Sequence, residues 1–242
     1  MTLAMPDSIY PANLPAGYPA YLGYVDGDWP TLPELKTRFP GAYHVGLTVT
    51  GSTLHADGID VEPGNPGAVT GVAWAARKLH AEPASRPVIY ASVTGTPGYG
   101  MHDVLRELGA QGILRAEVRL LSAHYWGPKE GPHQKHICGP ATCNLISEPM
   151  DGTQWTDKAT GSAHDRLVDM SEVLDSFFTQ PAPSPPEDDT VQLPNVPGTW
   201  LIAHQVLDTQ TQVEYVVGLG TSGRVYMTKR APGGDWTTPA LI

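Results

Sequence analysis

The heptapeptide Gly58-Ile59-Asp60-Val61-Glu62-Pro63-Gly64 places two carboxylates two residues apart, with a β-branched residue between them and a Pro-Gly break after them. In a β-strand, residues i and i+2 point to the same face, so Asp60 and Glu62 project side by side just before the strand stops. Two acids this close cannot both ionise freely, and one pKa is expected to rise toward that of a general acid. Paired carboxylates at the C-terminal end of a strand are where parallel barrels place their chemistry. The bland alternative is a surface turn with two solvated acids.

The sequence around this strand alternates between strand and helix patterns. Upstream, Tyr21 to Val25 and Tyr43 to Thr50 read as strands, with a short helix from Leu32 to Phe39 between them and Thr31 as its cap. Downstream, Val69, Val72, Ala73, Ala76 and Leu79 recur at helical spacing in a helix that opens at Asn65-Pro66. Arg86 to Ser92 is a compact apolar strand, Tyr99 to Leu108 a helix, and Val118 to Ala123 a strand. Residues 127–150 form a long loop. Gly152 to Asp157 and Arg166 to Met170 read as the last strands, and Ser171 to Phe178 as a closing helical turn. Such alternation predicts a parallel sheet with crossover helices. The fold class expected is α/β, a TIM-like (β/α) barrel with an irregular last third, followed by a small all-β module. About seven strands are countable, one short of a closed eight-stranded barrel.

The boundaries follow composition. Residues 1–19 are Pro-rich and read as an irregular N-terminal arm, and residues 20–179 as the barrel. Residues 180–197, with Pro-Ala-Pro-Ser-Pro-Pro-Glu-Asp-Asp, form an extended polar linker. Residues 198–242 are the β module, in which Gln212 to Leu219, a Thr221-Ser222-Gly223 turn and Arg224 to Lys229 make a hairpin.

The chain has 242 residues and a formal charge of −10, which argues against nucleic acid or an anionic membrane surface as partner. No window is apolar for the ~18 residues a membrane helix needs. The N-terminus has neither the basic nor the apolar region of a secretory signal peptide. Neither a Gly-rich phosphate loop nor a His-Glu-x-x-His zinc motif is present, and no cofactor or metal is expected. The two cysteines, Cys138 and Cys143, flank Gly-Pro-Ala-Thr, a tight loop that a disulfide could staple. Free thiols are the alternative. A zinc site would need further ligands, of which His133 and His136 are nearest in sequence.

Four acids end predicted strands: Asp26, Asp60, Glu62 and Asp169. Strand ends of a parallel barrel converge on one rim, so acids distant in sequence can meet there. The aromatics Trp29, Tyr90, Tyr125, Trp126 and Trp155 sit near the same ends, with Gln154 and His124 as orienting donors. Flat rings that stack on sugar faces, beside carboxylates that handle protons, suit a glycan site. Each ring taken alone fits a core position equally well.

Tyr24-Val25-Asp26-Gly27, Asp60-Val61-Glu62-Pro63-Gly64, Val88-Ile89-Tyr90, Ala123-His124-Tyr125, Thr153-Gln154-Trp155-Thr156-Asp157 and Asp169-Met170-Ser171 follow one another in an order that resembles glycoside-hydrolase-like βα-barrels. These barrels are common in actinobacteria and their phages and look like relatives of family 25 lysozymes. The resemblance spans residues 21–178. It implies that Glu62 is the general acid, that Asp60 orients water or stabilises positive charge at the anomeric carbon, and that Asp26 and Asp169 frame the pocket. Trp29, Tyr90, Tyr125, Trp126, Gln154 and Trp155 would then contact substrate. The lysozymes begin with a G-x-D-V-S type strand, whereas Asp26 here is followed by Gly27-Asp28. The C-terminal stretch, from Gly198-Thr199-Trp200 to Gly234-Asp235-Trp236-Thr237, resembles one blade of a tectonin-like β-propeller.

The function this implies is a muramidase-like peptidoglycan hydrolase, either a phage lysin or a virion-associated protein, acting on cell-wall glycan. The competing class is a non-enzymatic virion protein, a tail or capsid decoration. It would use the barrel to bind a polysaccharide or other virion proteins. Either places the protein in a virion or outside the cell, at the wall.

Overall fold

The computed structural model describes residues 1–125, 133–157, 159, 168–178, 200–207, 213–220, 225–232, 234, 237 and 240–241. The chain divides into two units, Met1–Pro181 and Ala182–Ile242.

The first unit is a closed eight-stranded barrel in sequence order: β1 Thr2–Asp7, β2 Ala20–Tyr24, β3 Tyr43–Thr48, β4 Gly58–Val61, β5 Val88–Ser92, β6 Arg119–Ala123, β7 Gly152–Thr156 and β8 Asp169–Leu174. Strands β1 to β7 run parallel, and β8 is antiparallel to both its neighbours, β7 and β1. The strand lacking from the sequence reading is β1, drawn from the stretch expected to be an irregular arm. Pro6 hides it, because proline removes a ladder donor. The structure tolerates Pro6 because β1 meets β2 at a single register pair, Asp7 with Leu22, while its full length pairs with β8.

A second difference lies at the end of the barrel. Ser171 to Leu174, expected as helix, continues β8, and only Asp175–Phe177 makes a 3-10 turn. Pairing on both edges, with Met5 and Gln154 at Ser171, holds this segment extended. Such non-local pairing overrides local preference.

Among the described residues three α-helices cover the barrel: α1 Leu32–Arg38, α2 Ala68–Ala81 and α3 Met101–Ala110. Thr31 precedes α1 without capping it. Its hydroxyl instead accepts the backbone N–H of Tyr24, tying the helix start to the end of β2. Outward residues Ile59, Val61, Ile89 and Leu120 pack under α2 and α3 against Trp74, Val72, Met101 and Val104. Burying each large side chain there is worth about 1.5–3 kcal/mol. Gly71 lets α2 lie flat on β4, since a Cβ there would stand 2.6 Å from Val61 Cγ2. Inward residues Met5, Leu22, Leu47, Val88, Leu121 and Val173 fill the lumen below the acids. Between β6 and β7 the described residues hold no helix, in keeping with the expected irregular last third.

The second unit is a four-stranded antiparallel sheet in the order β12-β11-β10-β9, made of β9 Trp200–Leu207, β10 Glu214–Gly220, β11 Val225–Arg230 and β12 Ala240–Leu241. The expected hairpin is present, with Leu219 paired to Val225; its turn residues lie outside the described residues, as does the 180–197 linker. Val216 and Thr228, buried, face each other across the β10–β11 pair, and the Thr228 hydroxyl donates to the Thr237 carbonyl at 2.5 Å.

Candidate active site

The inward positions nearest the C-terminal ends of the parallel strands carry polar groups. Asp7 ends β1 and Tyr24 ends β2; Asp60 lies on β4 beside Tyr90 on β5, and Gln154 lies on β7. Asp169 opens β8, which runs the opposite way, so its first residue arrives at the same rim and pairs with Asp7. Glu62 follows β4 by one residue, at the turn closed by the Asn65 N–H to Glu62 carbonyl bond, with Gly64 at φ +101°. A positive φ of this kind favours glycine. Beside Asp60 and Glu62 lies an open cleft of about 450 Å³, lined also by Tyr24, Asp26 and Trp29.

The acids form two groups on opposite sides of the mouth, since β4 and β8 are four strands apart in an eight-stranded order. On one side, Asp60 is 2% exposed, and its Oδ1 has no hydrogen-bond partner among the described residues. Burial and the adjacent Glu62 charge push its pKa up to about 8. Burial also raises Glu62, opposed by a hydrogen bond with Tyr90. This pair therefore holds a proton at neutral pH. On the other side, burial and the Asp169 charge raise Asp7 well above the usual carboxylate range, while Asp169, raised by burial and Asp157, reaches about 6. Asp7 is thus the protonated member and Asp169 the ionised one at neutral pH.

Gln154 links the two sides. Its Nε2 donates to Asp7 Oδ2 at 3.2 Å, and its Oε1 accepts the hydroxyls of Tyr90 at 2.6 Å and Tyr125 at 2.9 Å. Burying this polar network is tolerable because its members satisfy one another. Tyr125 is 43% exposed and stacks on His133 at 5.4 Å.

The structure brings together Asp60, Glu62, Asp169, Tyr90, Gln154 and Tyr125. Asp26 lines the cleft, but its carboxylate is engaged elsewhere. It accepts from Thr48 Oγ1 at 2.5 Å, Val49 N at 2.8 Å, Thr50 Oγ1 at 2.7 Å and Ser52 Oγ at 3.3 Å. Although burial opposes it, the donors from Thr48, Thr50 and Val49 lower the Asp26 pKa, and they tie the loop after β3 to its carboxylate. Trp29 is half exposed at the cleft rim, edge-on to Tyr10 at 6.0 Å. Trp155 sits in the bulge between Gln154 and Thr156, with its indole N–H buried and unpartnered among the described residues. Trp126 lies outside the described residues.

Asp7 is the rim acid that sequence reading missed. It ends the barrel's first strand, whereas Asp26 follows the second. The signal was present in Leu3-Ala4-Met5, a short apolar run before an acid, and was masked by Pro6.

The expected disulfide is not formed. Cys138 and Cys143 are both free thiols, with their sulfurs 2.9 Å apart. Cys138 is buried against the outer face of β6 and β7, where its N–H donates to Thr153 Oγ1 at 2.8 Å. Among the described residues, no helix is long and apolar enough to cross a membrane.

No family model matches the chain, and no curated protein matches it. Among solved structures, an uncharacterized B. stearothermophilus protein is similar at 12% identity and TM-score 0.49, over 73% of this chain and 98% of that one. The CTP1L endolysin is similar at 13% identity and TM-score 0.45, over 72% of this chain and 67% of its own. The Clostridium perfringens spore cortex lytic enzyme SleM is similar at 11% identity and TM-score 0.39, over 100% and 98%.

Proposed function

We propose that the barrel is a glycoside hydrolase acting on cell-wall peptidoglycan in the manner of a muramidase, with Glu62 as the proton donor. The observation that carries this reading is the opposition of two carboxyl groups of acids across one barrel mouth. The β4 pair retains a proton at neutral pH, and the β1/β8 pair presents one negative charge at Asp169.

Glycosidic cleavage needs that asymmetry. One carboxylic acid protonates the departing oxygen, while a carboxylate on the other side activates water or stabilises positive charge at the anomeric carbon. Glu62, at the cleft, delivers the proton. Asp60 lies deeper and shares the pair's one proton with Glu62, holding it in the free site and returning it to Glu62 as the departing oxygen is protonated. Asp169 supplies the negative charge, kept ionised by the hydrogen bond from neutral Asp7. Trp29 at the rim and Tyr125 offer ring faces to sugars. The setting proposed with this activity is a phage lysin or virion component working on the wall, with the second unit as its attachment module.

The test is Glu62→Gln beside wild type on isolated peptidoglycan, followed by reducing-end release. A loss of about 10²–10⁴-fold with an unchanged melting temperature is expected. Equal release by both proteins overturns the assignment of Glu62. Binding of intact wall by both, with no reducing ends from either, would replace hydrolysis by glycan binding.

A further inference from the structure

Between β6 and β7 the chain has no helix among the described residues, yet it covers the outer face of the barrel there, with Cys138, Ile146 and Met150 buried beside Val118 and Leu120. Two thiols and two imidazoles converge beneath this loop. His124 Nδ1 lies 3.1 Å from Cys138 Sγ and 3.1 Å from His136 Nε2; Cys138 Sγ lies 3.4 Å from His136 Nε2 and 2.9 Å from Cys143 Sγ. The donor atoms of His124, Cys138 and Cys143 all fall within 4.8 Å of one another.

We propose that His124, His136, Cys138 and Cys143 form a tetrahedral site for a zinc-class divalent cation that staples the β6–β7 loop to the barrel. A Cys₂His₂ tetrahedron with ordinary zinc bond lengths has edges of roughly 3.3 Å between nitrogens, 3.5 Å between nitrogen and sulfur and 3.8 Å between sulfurs. The His124–His136, His124–Cys138 and His136–Cys138 separations are already within a few tenths of an ångström of those edges, and His124 and Cys143 lie within 4.8 Å of each other. The two sulfurs must part by roughly 0.9 Å to reach the same geometry. Borderline-soft imidazole and thiolate donors select zinc over calcium or magnesium. On binding, each thiol gives its proton to solvent and becomes a thiolate ligand.

The surroundings orient the donors. His136 Nδ1 lies 2.7 Å from the Gln134 carbonyl, which fixes that nitrogen as the donor, and Nε2 faces His124 Nδ1 and Cys138 Sγ. Cys138 is pinned through its N–H to Thr153, and Cys143 sits in a turn whose N–H groups at 142, 143 and 144 all reach the Gly139 carbonyl. His133, nearer the cysteines in sequence than His124, is engaged with Thr156 and Tyr125 instead. The site is separate from the acids, and its existence does not depend on the hydrolase reading. It does touch them mechanically: His124 donates its backbone N–H to the Gln154 carbonyl, and the next residue, Tyr125, reaches the Gln154 side chain.

The experiment is metal analysis of full-length protein produced with zinc and purified under reduction without chelator. About one zinc per chain is expected, released by a mercurial thiol reagent. Cobalt loading should give the intense visible bands of a tetrahedral thiolate site. Cys143→Ser and His136→Ala should each lose the metal, and chelator should lower the melting temperature of wild type while leaving these variants unmoved. If either variant fails to fold, the mercurial release and cobalt spectrum of wild type decide alone. An intact mass lighter by two hydrogens with no zinc, meaning a disulfide, overturns the proposal. So do two titratable thiols with neither retained zinc nor cobalt bands.

Discussion

Asp7 and Asp169 are direct register partners in the antiparallel β1–β8 pair, and the carboxyl of one hydrogen-bonds the carboxyl of the other. They share one proton, and burial decides which keeps it. Asp7, the more deeply desolvated, is neutral and donates; Asp169 accepts and carries the charge. Gln154 also donates to Asp7, at Oδ2.

Asparagine reproduces that pattern at position 7: its amide nitrogen can donate to Asp169 and its oxygen can accept from Gln154. Asp7→Asn is therefore expected to keep activity on peptidoglycan within about tenfold of wild type, whereas Asp169→Asn, which removes the charge, should lose about 10²-fold or more. Reducing-end release by the two variants, side by side, checks this. A larger loss in Asp7→Asn would show that Asp7, not Asp169, carries the charge, and equal losses would show that the charge is not held by one member.

Stability should depend on pH with a definite sign. The folded-state pKa of Asp60 stands at about 8, above its unfolded value, so between about pH 4 and 8 the native state keeps a proton that the unfolded chain releases. This group's contribution is full below the unfolded pKa and is lost as pH climbs toward 8. Asp7 and Asp169 act in the same direction. Asp26 is shifted downward, so its contribution is present above its unfolded pKa and lost as pH falls. The melting temperature is expected to decline from about pH 5.5 to 8.5, and Asp60→Asn should flatten that decline. A variant whose slope matches wild type would contradict the buried, protonated state of Asp60.

Much of the barrel is legible in the sequence because its central elements are local. The pattern 58–64, the helical spacing from Val69 to Leu79 and the apolar run Val88 to Ala91 each specify an element without outside help. The two edges that close the barrel are not local. β1 carries a proline, and β8 has a sequence that could turn as a helix; both are extended because they pair with each other. The site follows the same division. Asp60, Glu62, Tyr90 and Gln154 lie on strands that announce themselves. Asp7 lies on a strand that exists only once β8 is in place. Asp26, expected to frame the pocket, does line the cleft, but strand-end position does not reveal hydrogen-bond saturation, and only the fold shows that the 48–52 loop folds back onto its carboxylate.

From that saturation, Asp26 is expected to matter more for stability than for turnover. Asp26→Asn keeps the shape but removes the charge that four donors now share, and hydrogen bonds to a charged acceptor contribute about 1.5–3 kcal/mol. A denaturation midpoint lowered by a loss of that order is expected, with a smaller activity loss than Glu62→Gln. A variant as stable as wild type but inactive would return Asp26 to the catalytic set.

The strand that carries Asp60 and leads into Glu62 begins at Gly58, and that glycine sets their depth in the barrel. A Cβ there would lie 2.5 Å from both Val88 Cβ and the Val88 carbonyl oxygen, and 2.7 Å from Leu47 Cδ2. Gly58 pairs in register with Val88, so the carbonyl cannot retreat without opening the β4–β5 ladder. Gly58→Ala is expected to destabilise by about 1–3 kcal/mol, the usual range for overpacking, and to displace the acids two and four residues on. Gly109→Ala is the matched comparison: it lies in α3 with nothing within 4 Å of its Cβ, and should be neutral or stabilising by up to about 1 kcal/mol. Urea midpoints with an unchanged m-value would read both effects. If Gly58→Ala were as stable and active as wild type, the close β4–β5 approach that holds Asp60 and Glu62 at the mouth would be wrong.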